Sequence, residues 1–461
     1  MNRHCLRMDG LVRLACVSAL LGWCSAAAAG GARPVKLLKG PYLTGLCETG
    51  VDVRFELDGA ASAVVEVDGG PAGRTFGDRA PSTMHVVHTS GFAPASAHAY
   101  TVLVDGNALG QGRFTTAPKN ESGAPLKFLV YGDDRTDPTA HAAVVRALVA
   151  SPSDFLVNTG DMVEDGGRAE DWQSFFDVEA PLLRDRALFV AIGNHELYDD
   201  RAGANFARYL GFSSPDGRPQ PYGTVRLGNV RFFFLNSLHD WSSGEERRWL
   251  ETELARSDGE PGLAWRIAVM HHGPWSSGPH GKNTDLLKAH VPELLAAHGV
   301  DLVLAGHDHI YERGATGGIK YVNTGGGGAP LYRSSKIAST RKTESTYHFV
   351  EITTGDQEVR LLARRIDGSV LDQCGFGKGT GWDCDEPEVR ASDSTSSAPS
   401  SVERASAPHE PPLAGASPSS HCACATPGIG TRRAFAPVLL AIVWVFATAR
   451  RKGRGDRGLP G

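Results

Sequence analysis

The sequence predicts a layered α/β domain preceded by a small all-β sandwich. Two patterns predict this. Between residues 36 and 118 the chain alternates short β-like runs, VDVRFELD, SAVVEVDG, MHVVHTS and AYTVLVDG, with Gly, Pro and Asp turns, and shows no long helical periodicity. From Pro125 the pattern changes to apolar strand, polar loop and helix, repeated through LKFLVYGDD, HAAVVRALVA, DFLVNTGD and ALFVAIGNHE, which is the signature of an α/β layered domain. It continues through VRFFFLN, the helix-like EERRWLETELARS, WRIAVMHHG, a helix around LLKAHVPELLAAHG, VDLVLAGHDH, and two late strands near Tyr347 to Thr353 and Glu358 to Ala363.

At 461 residues the chain exceeds what one core usually organises, so two domains with unfolded segments are expected. A net charge of only −5 gives no bulk electrostatic reason to expect a nucleic acid or strongly acidic partner. Arg3, Arg7 and Arg13 precede an apolar run from Leu14 to Trp23 and the small residues Ala26 to Ala29, so residues 1–29 are expected to be an export signal cleaved near Ala29. Trp23 before Cys24 argues against a lipoprotein box. Cys374 and Cys384 flank the flexible GFGKGTGWD loop, and the exported context favours a disulfide between them over two free thiols.

Residues 388–420 are dominated by Ser, Ala and Pro, as in SDSTSSAPSS, and read as a disordered linker that buries too little apolar surface to fold. Residues 422–461 follow, with CAC, the apolar run Ala434 to Ala449 and the basic cluster Arg450, Arg451, Lys452, Arg454 and Arg457. At 1.5 Å per residue that run spans about 24 Å, short of a usual bilayer core but adequate for a transient or processed span. The tail resembles the carboxy-terminal sorting signals of myxobacterial surface proteins, which implies a membrane partner and cell-surface or outer-envelope retention, with the basic cluster cytoplasmic.

Five apolar runs end in clusters of metal-ligand residue types: GDD, GD, GNHE, HHG and GHDH. In layered α/β folds the loops at the carboxyl ends of strands converge where ligands bind, so five such loops can gather Asp, Asn and His side chains around one point. Singly each is commonly a turn or a hydrogen-bonded surface group; the ordered set points to a shared metal centre. His85 and His88 lack further ligands nearby and read as ordinary strand residues.

These clusters resemble those of the calcineurin-like metallophosphoesterases, and more closely the purple acid phosphatases. GHDHIYERG resembles the family's closing GHxHxYER motif, VMHHGPW its VxxHxPW segment, and the region beginning KGPYL its fibronectin-like amino-terminal domain. The resemblance runs from about Lys36 to Ala363. It implies a fibronectin-like β-sandwich over 36–118, an αββα metallophosphoesterase domain over 125–384, and hydrolysis of small phosphate monoesters with two metal ions, iron, manganese or zinc.

Carried over, Asp133, Asp161 and His309 would hold one metal, and Asp161, Asn194, His272 and His307 the other, with Asp161 bridging. A carboxylate suits the bridge because each oxygen can face a cation about 3.5 to 4 Å from its partner. The VxxHxP pattern assigns His272 rather than His271, which is expected to be a packed or hydrogen-bonded histidine. His195 resembles the family histidine that contacts phosphate and protonates the leaving alkoxide, and His280 lies near another substrate-contacting histidine. Two cations would lower the pKa of bound water to give hydroxide and clamp the phosphoryl oxygens, so no Ser or Cys nucleophile is required.

Two positions depart from the pattern. Arg135 stands where the wider superfamily has a histidine and purple acid phosphatases a glycine; its guanidinium could reach a bound phosphate or simply pair with Asp134 or Asp137. Glu164 stands where the family's tyrosinate ligand is expected, so the centre should lack its colour. A phosphodiesterase or nucleotidase on the same core, or a surface adhesion module with an inactive domain, are the competing readings; the filled set of ligand positions counts against the last.

Overall fold

The computed structural model describes residues 33–68, 73–77, 80–213 and 218–384. The expected signal, linker and sorting tail lie outside them. Among the described residues no helix is long and apolar enough to cross a membrane.

Two sheets are stacked face to face. The first has ten strands, and its centre is three parallel neighbours, Leu126–Tyr131, Phe155–Asn158 and Ala187–Val190. The second has seven strands, in which Val230–Leu235, Trp265–Met270, Leu302–Ala305 and Ile319–Thr324 run parallel. Strand periodicity divides the side chains between layers. Phe128, Val130, Phe155, Val157, Ile267, Val269, Leu302 and Leu304 fill the core between the sheets. Leu129, Tyr131, Leu156 and Leu188 turn outward onto helices Pro138–Ala150 and Ala169–Leu183, while Ala268, Met270 and Val303 turn onto Glu245–Asp258 and Val291–Ala297. The four layers are the αββα order expected.

Local sequence fixes the helix starts. Asp137 caps Pro138–Ala150 by accepting from the Thr139 and Ala140 N–H groups, and Pro138 occupies the first turn, where its missing N–H costs nothing. The helix expected around LLKAHVPELLAAHG is instead two short ones, Thr284–Lys288 and Val291–Ala297, separated by His290 at φ 55°. Pro292, two residues after His290, lies in the first turn of the second piece.

The amino-terminal region is all β, but only part of it forms a sheet of its own. Leu37–Cys47, Gly50–Ala61 and Ser82–His88 extend the ten-stranded sheet, Leu43 pairing in parallel with Ala187. Four other strands, Ala63–Val67, Arg74–Phe76, Ala97–Val104 and Asn107–Thr115, make a separate sheet. Val53 and Phe55 from the first set and Val65 and Val102 from the second share the inter-sheet core. His85 stacks on Phe55 and His88 pairs with Asp52, so both are ordinary strand residues. At the other end of the chain Cys374 and Cys384 are disulfide-bonded.

Candidate metal centre

All five strand-end clusters meet at one edge, where the two sheets face each other. The three central strands of the first sheet deliver Asp133, Asp161 and Asn194; two neighbours in the second deliver His271, His307 and His309. Asp133, Asp161 and His307 hold φ of 60°, 59° and 70°, a left-handed backbone that non-glycine residues rarely adopt and that concentrates at functional sites. Gly193 is required by close approach: a Cβ there would lie 2.2 Å from Asp161 Oδ1.

The donors converge on His271 Nε2. It lies 3.3 Å from Asp161 Oδ1, 3.1 Å from Asn194 Oδ1 and 3.2 Å from His307 Nδ1. Ligand atoms about 2.1 Å from a common ion stand roughly 3.0–3.4 Å apart, so this spacing suits a first-row cation. Beside it, Asp133 Oδ1 is 3.5 Å from His309 Nε2, and the Arg135 guanidinium reaches from Asp161 Oδ2 to His309 Nε2. Backbone carbonyls orient the imidazoles: Thr159 O accepts from His271 Nδ1 at 2.9 Å and Pro330 O from His309 Nδ1 at 2.7 Å, leaving each Nε2 free to coordinate. The donor chemistry and its supports therefore fit a pair of metal ions.

The expected ligand His272 is a correction. Trp265, Ile267 and Val269 face the inter-sheet core, and His271 continues their parity into the site. His272 takes the opposite parity. Its N–H donates to Ser237 Oγ and its ring nitrogen lies 3.4 Å from Gly281 O. It still flanks the centre, with its ring 4.3 Å from that of His307.

The remaining expected residues line the rim. His195 is anchored through Nδ1 to Glu164 O at 2.6 Å, donates its N–H to Asp161 Oδ1 at 3.0 Å, and places Nε2 3.9 Å from Asp161 Oδ2. His280 packs its ring 4.3 Å from His307, its loop held by Asp308, which accepts from His280 N and Ser276 Oγ. Arg135 pairs with neither Asp134 nor Asp137. Its Nε lies 3.3 Å from Asp161 Oδ2, one terminal nitrogen 3.1 Å from Glu164 Oε2 and the other 3.5 Å from His309 Nε2. Glu164 is thus engaged by Arg135 and Thr136.

Sequence reasoning did not anticipate three supports. Glu196 accepts N–H groups from Asp161, Met162 and Gly193 at 3.0, 2.8 and 2.7 Å, tying two ligand loops together. Its place in GNHE was the available signal. Tyr332 stacks 4.0 Å from His309, and Tyr198 packs 4.4 Å from His195 while accepting from Asn194 Nδ2. No local motif marks either tyrosine.

Burial and the mutual attraction of these groups set their protonation. Burial drives His307 down to about 2, with repulsion from His271 reinforcing it, and drives His309 down to about 4 against its Pro330 hydrogen bond. Burial also opposes charge on His271, but Asp161, Asp133 and Glu196 outweigh it and lift it to about 9. For Asp161, burial is overcome by His271 and His195, and the carboxyl sits below the usual carboxylate range; burial holds Asp133 well above it.

Residues 127–311 match the calcineurin-like phosphoesterase family model. The chain is 30% identical over 163 residues to purple acid phosphatase 18 of Arabidopsis thaliana, covering 33% of this chain and 36% of that protein. It is 26% identical over 265 residues to an uncharacterized protein of Mycobacterium tuberculosis (strain ATCC 25618 / H37Rv), covering 49% and 50%. The chain thus spans about half the length of that relative or less of the first. In fold it is similar to purple acid phosphatase PPD1 of yellow lupin, with TM-score 0.63, 18% identity and coverage of 73% and 74%, and to PhoD, with TM-score 0.58, 12% identity and coverage of 75% and 91%. Residues 127–311 thus form a calcineurin-like phosphoesterase domain, and the chain is similar to purple acid phosphatases in sequence and in fold.

Proposed function

We propose that this chain is an exported phosphatase that hydrolyses small phosphate monoesters at a dinuclear metal centre. The convergence of Asp161, Asn194, His271 and His307 beside the Asp133–His309 pair carries this reading. Asp133, Asp161 and His309 would hold one ion, and Asp161, Asn194, His271 and His307 the other. When bound, two such ions supply positive charge that clamps phosphoryl oxygens and lowers the pKa of coordinated water.

The chain's own residues do the rest. Arg135 presents a planar fork of donors beside Asp161 and His309, suited to two oxygens of a terminal phosphate. His195 is held by its Nδ1 bond and delivers a proton from Nε2 to the departing alkoxide. His280 packs against His307 at the rim. Export and retention at the cell surface through residues 422–461 rest on the basic-apolar start and the CAC, apolar and Arg-rich end.

The test is purification of the full chain, metal quantification, and hydrolysis of a panel of aryl and alkyl monoesters against the corresponding diesters. Bound metal with monoester turnover exceeding diester turnover supports the proposal. Preferential diester cleavage transfers the site to phosphodiester chemistry, and a folded, metal-free, inactive protein defeats it. Comparing release of full-length and tail-truncated protein into the medium tests retention; equal release overturns it.

A further inference from the structure

Behind the Asp133 loop, away from the cleft, lies a second cluster of ligand groups. Asp134, His141 and Glu179 are 2%, 2% and 0% exposed, and one ligand atom from each lies within 4.8 Å of the others. They come from three elements: the loop after Leu126–Tyr131 and helices Pro138–Ala150 and Ala169–Leu183. His141 Nε2 is 2.8 Å from Glu179 Oε1, and Tyr131 donates its hydroxyl to Glu179 Oε2.

Asp134 is the informative member. One oxygen accepts from Asn158 Nδ2 at 2.5 Å, whereas Oδ1 is buried with no hydrogen-bond donor. Buried carboxylate oxygens without a donor are rare because desolvation is then uncompensated. Gly327 packs closely against this carboxylate: a Cβ there would fall 2.1 Å from Oδ1, so only glycine fits beside it. The His141–Glu179 pair satisfies its own two members and leaves Asp134 Oδ1 without a donor, a place that a cation can fill.

We propose that Asp134, His141 and Glu179 form a third divalent-cation site, separate from the catalytic pair, that ties both helices to the Asp133 loop. One imidazole and two carboxylates are a donor set that zinc and its first-row neighbours take, with the Tyr131 hydroxyl oxygen beside Glu179 to complete the shell. The ion replaces the His141–Glu179 hydrogen bond and supplies Oδ1 with a partner.

The experiment clears the catalytic centre with Asp161→Ala and His307→Ala in the full chain, then measures zinc after dialysis and the ligand-field absorption of the cobalt(II) form. Retention of about one ion per chain, with a cobalt spectrum showing nitrogen and oxygen ligation, is expected. Adding His141→Gln or, as the more conservative change, Glu179→Gln should remove that ion while circular dichroism confirms folding. A folded double variant that holds no zinc overturns the proposal. So does one whose ion survives both further substitutions.

Discussion

The two sheets contribute different chemistry to the centre. The ten-stranded sheet supplies every oxygen donor, Asp133, Asp161 and Asn194, and the seven-stranded sheet every imidazole, His271, His307 and His309. Neither sheet alone has a complete ligand set, so the centre forms only when the Phe128, Phe155, Ile267 and Leu304 core has locked the layers together. Packing and metal binding are therefore coupled, and an ion that binds the folded state alone stabilises that packing.

The largest expected effect comes from removing the carboxylate proposed to bridge the two ions. Asp161→Ala should lose both catalytic metals and reduce phosphatase turnover to that of the metal-free protein, as read by metal analysis and an aryl phosphate assay. Metals retained with turnover intact would mean that Asp161 does not bridge. Next, His195→Ala should lower turnover by roughly 10²- to 10⁴-fold while both metals stay bound, with the greater loss on substrates having poor leaving groups. Equal losses on good and poor leaving groups would remove its acid role.

A smaller effect separates support from ligation. Glu196→Gln keeps the side chain's shape but loses an acceptor for the Asp161, Met162 and Gly193 N–H groups, and should weaken metal affinity by about 10- to 100-fold. Unchanged affinity in a metal titration would show that the loops hold themselves. Chelation should lower the thermal unfolding midpoint, since a ligand at 100 times its Kd contributes about 2.7 kcal/mol to the folded state. A midpoint indifferent to chelator would uncouple the metals from the packing of the two sheets.

The smallest expected signal is spectroscopic. Glu164 is engaged by Arg135 and Thr136, so iron-grown protein should show no tyrosinate-to-iron absorption band. A strong band would place Tyr198 or Tyr332, which pack on His195 and His309, in the coordination shell.

The strand-end clusters were legible because each is local: an apolar run, a glycine in four of five cases, then ligand types. The choice within His271 and His272 was legible too, from the parity of Trp265, Ile267 and Val269, but a motif offset by one residue pointed the other way. What local sequence does not carry is long-range pairing. Leu43 beside Ala187, which joins the amino-terminal strands to the catalytic sheet, leaves no mark on either run. Arg135 offers the same lesson, since nearby Asp134 and Asp137 looked adequate partners while the fold brings Asp161 and Glu164 to it.

The most direct measurement compares His271→Ala with His272→Ala for metal content and aryl phosphate turnover in folded, full-length protein. His271→Ala is expected to lose metal from the Asp161–Asn194–His307 half and with it nearly all turnover, while His272→Ala keeps its metals. Loss of metal from His272→Ala, with His271→Ala fully loaded and active, would contradict it.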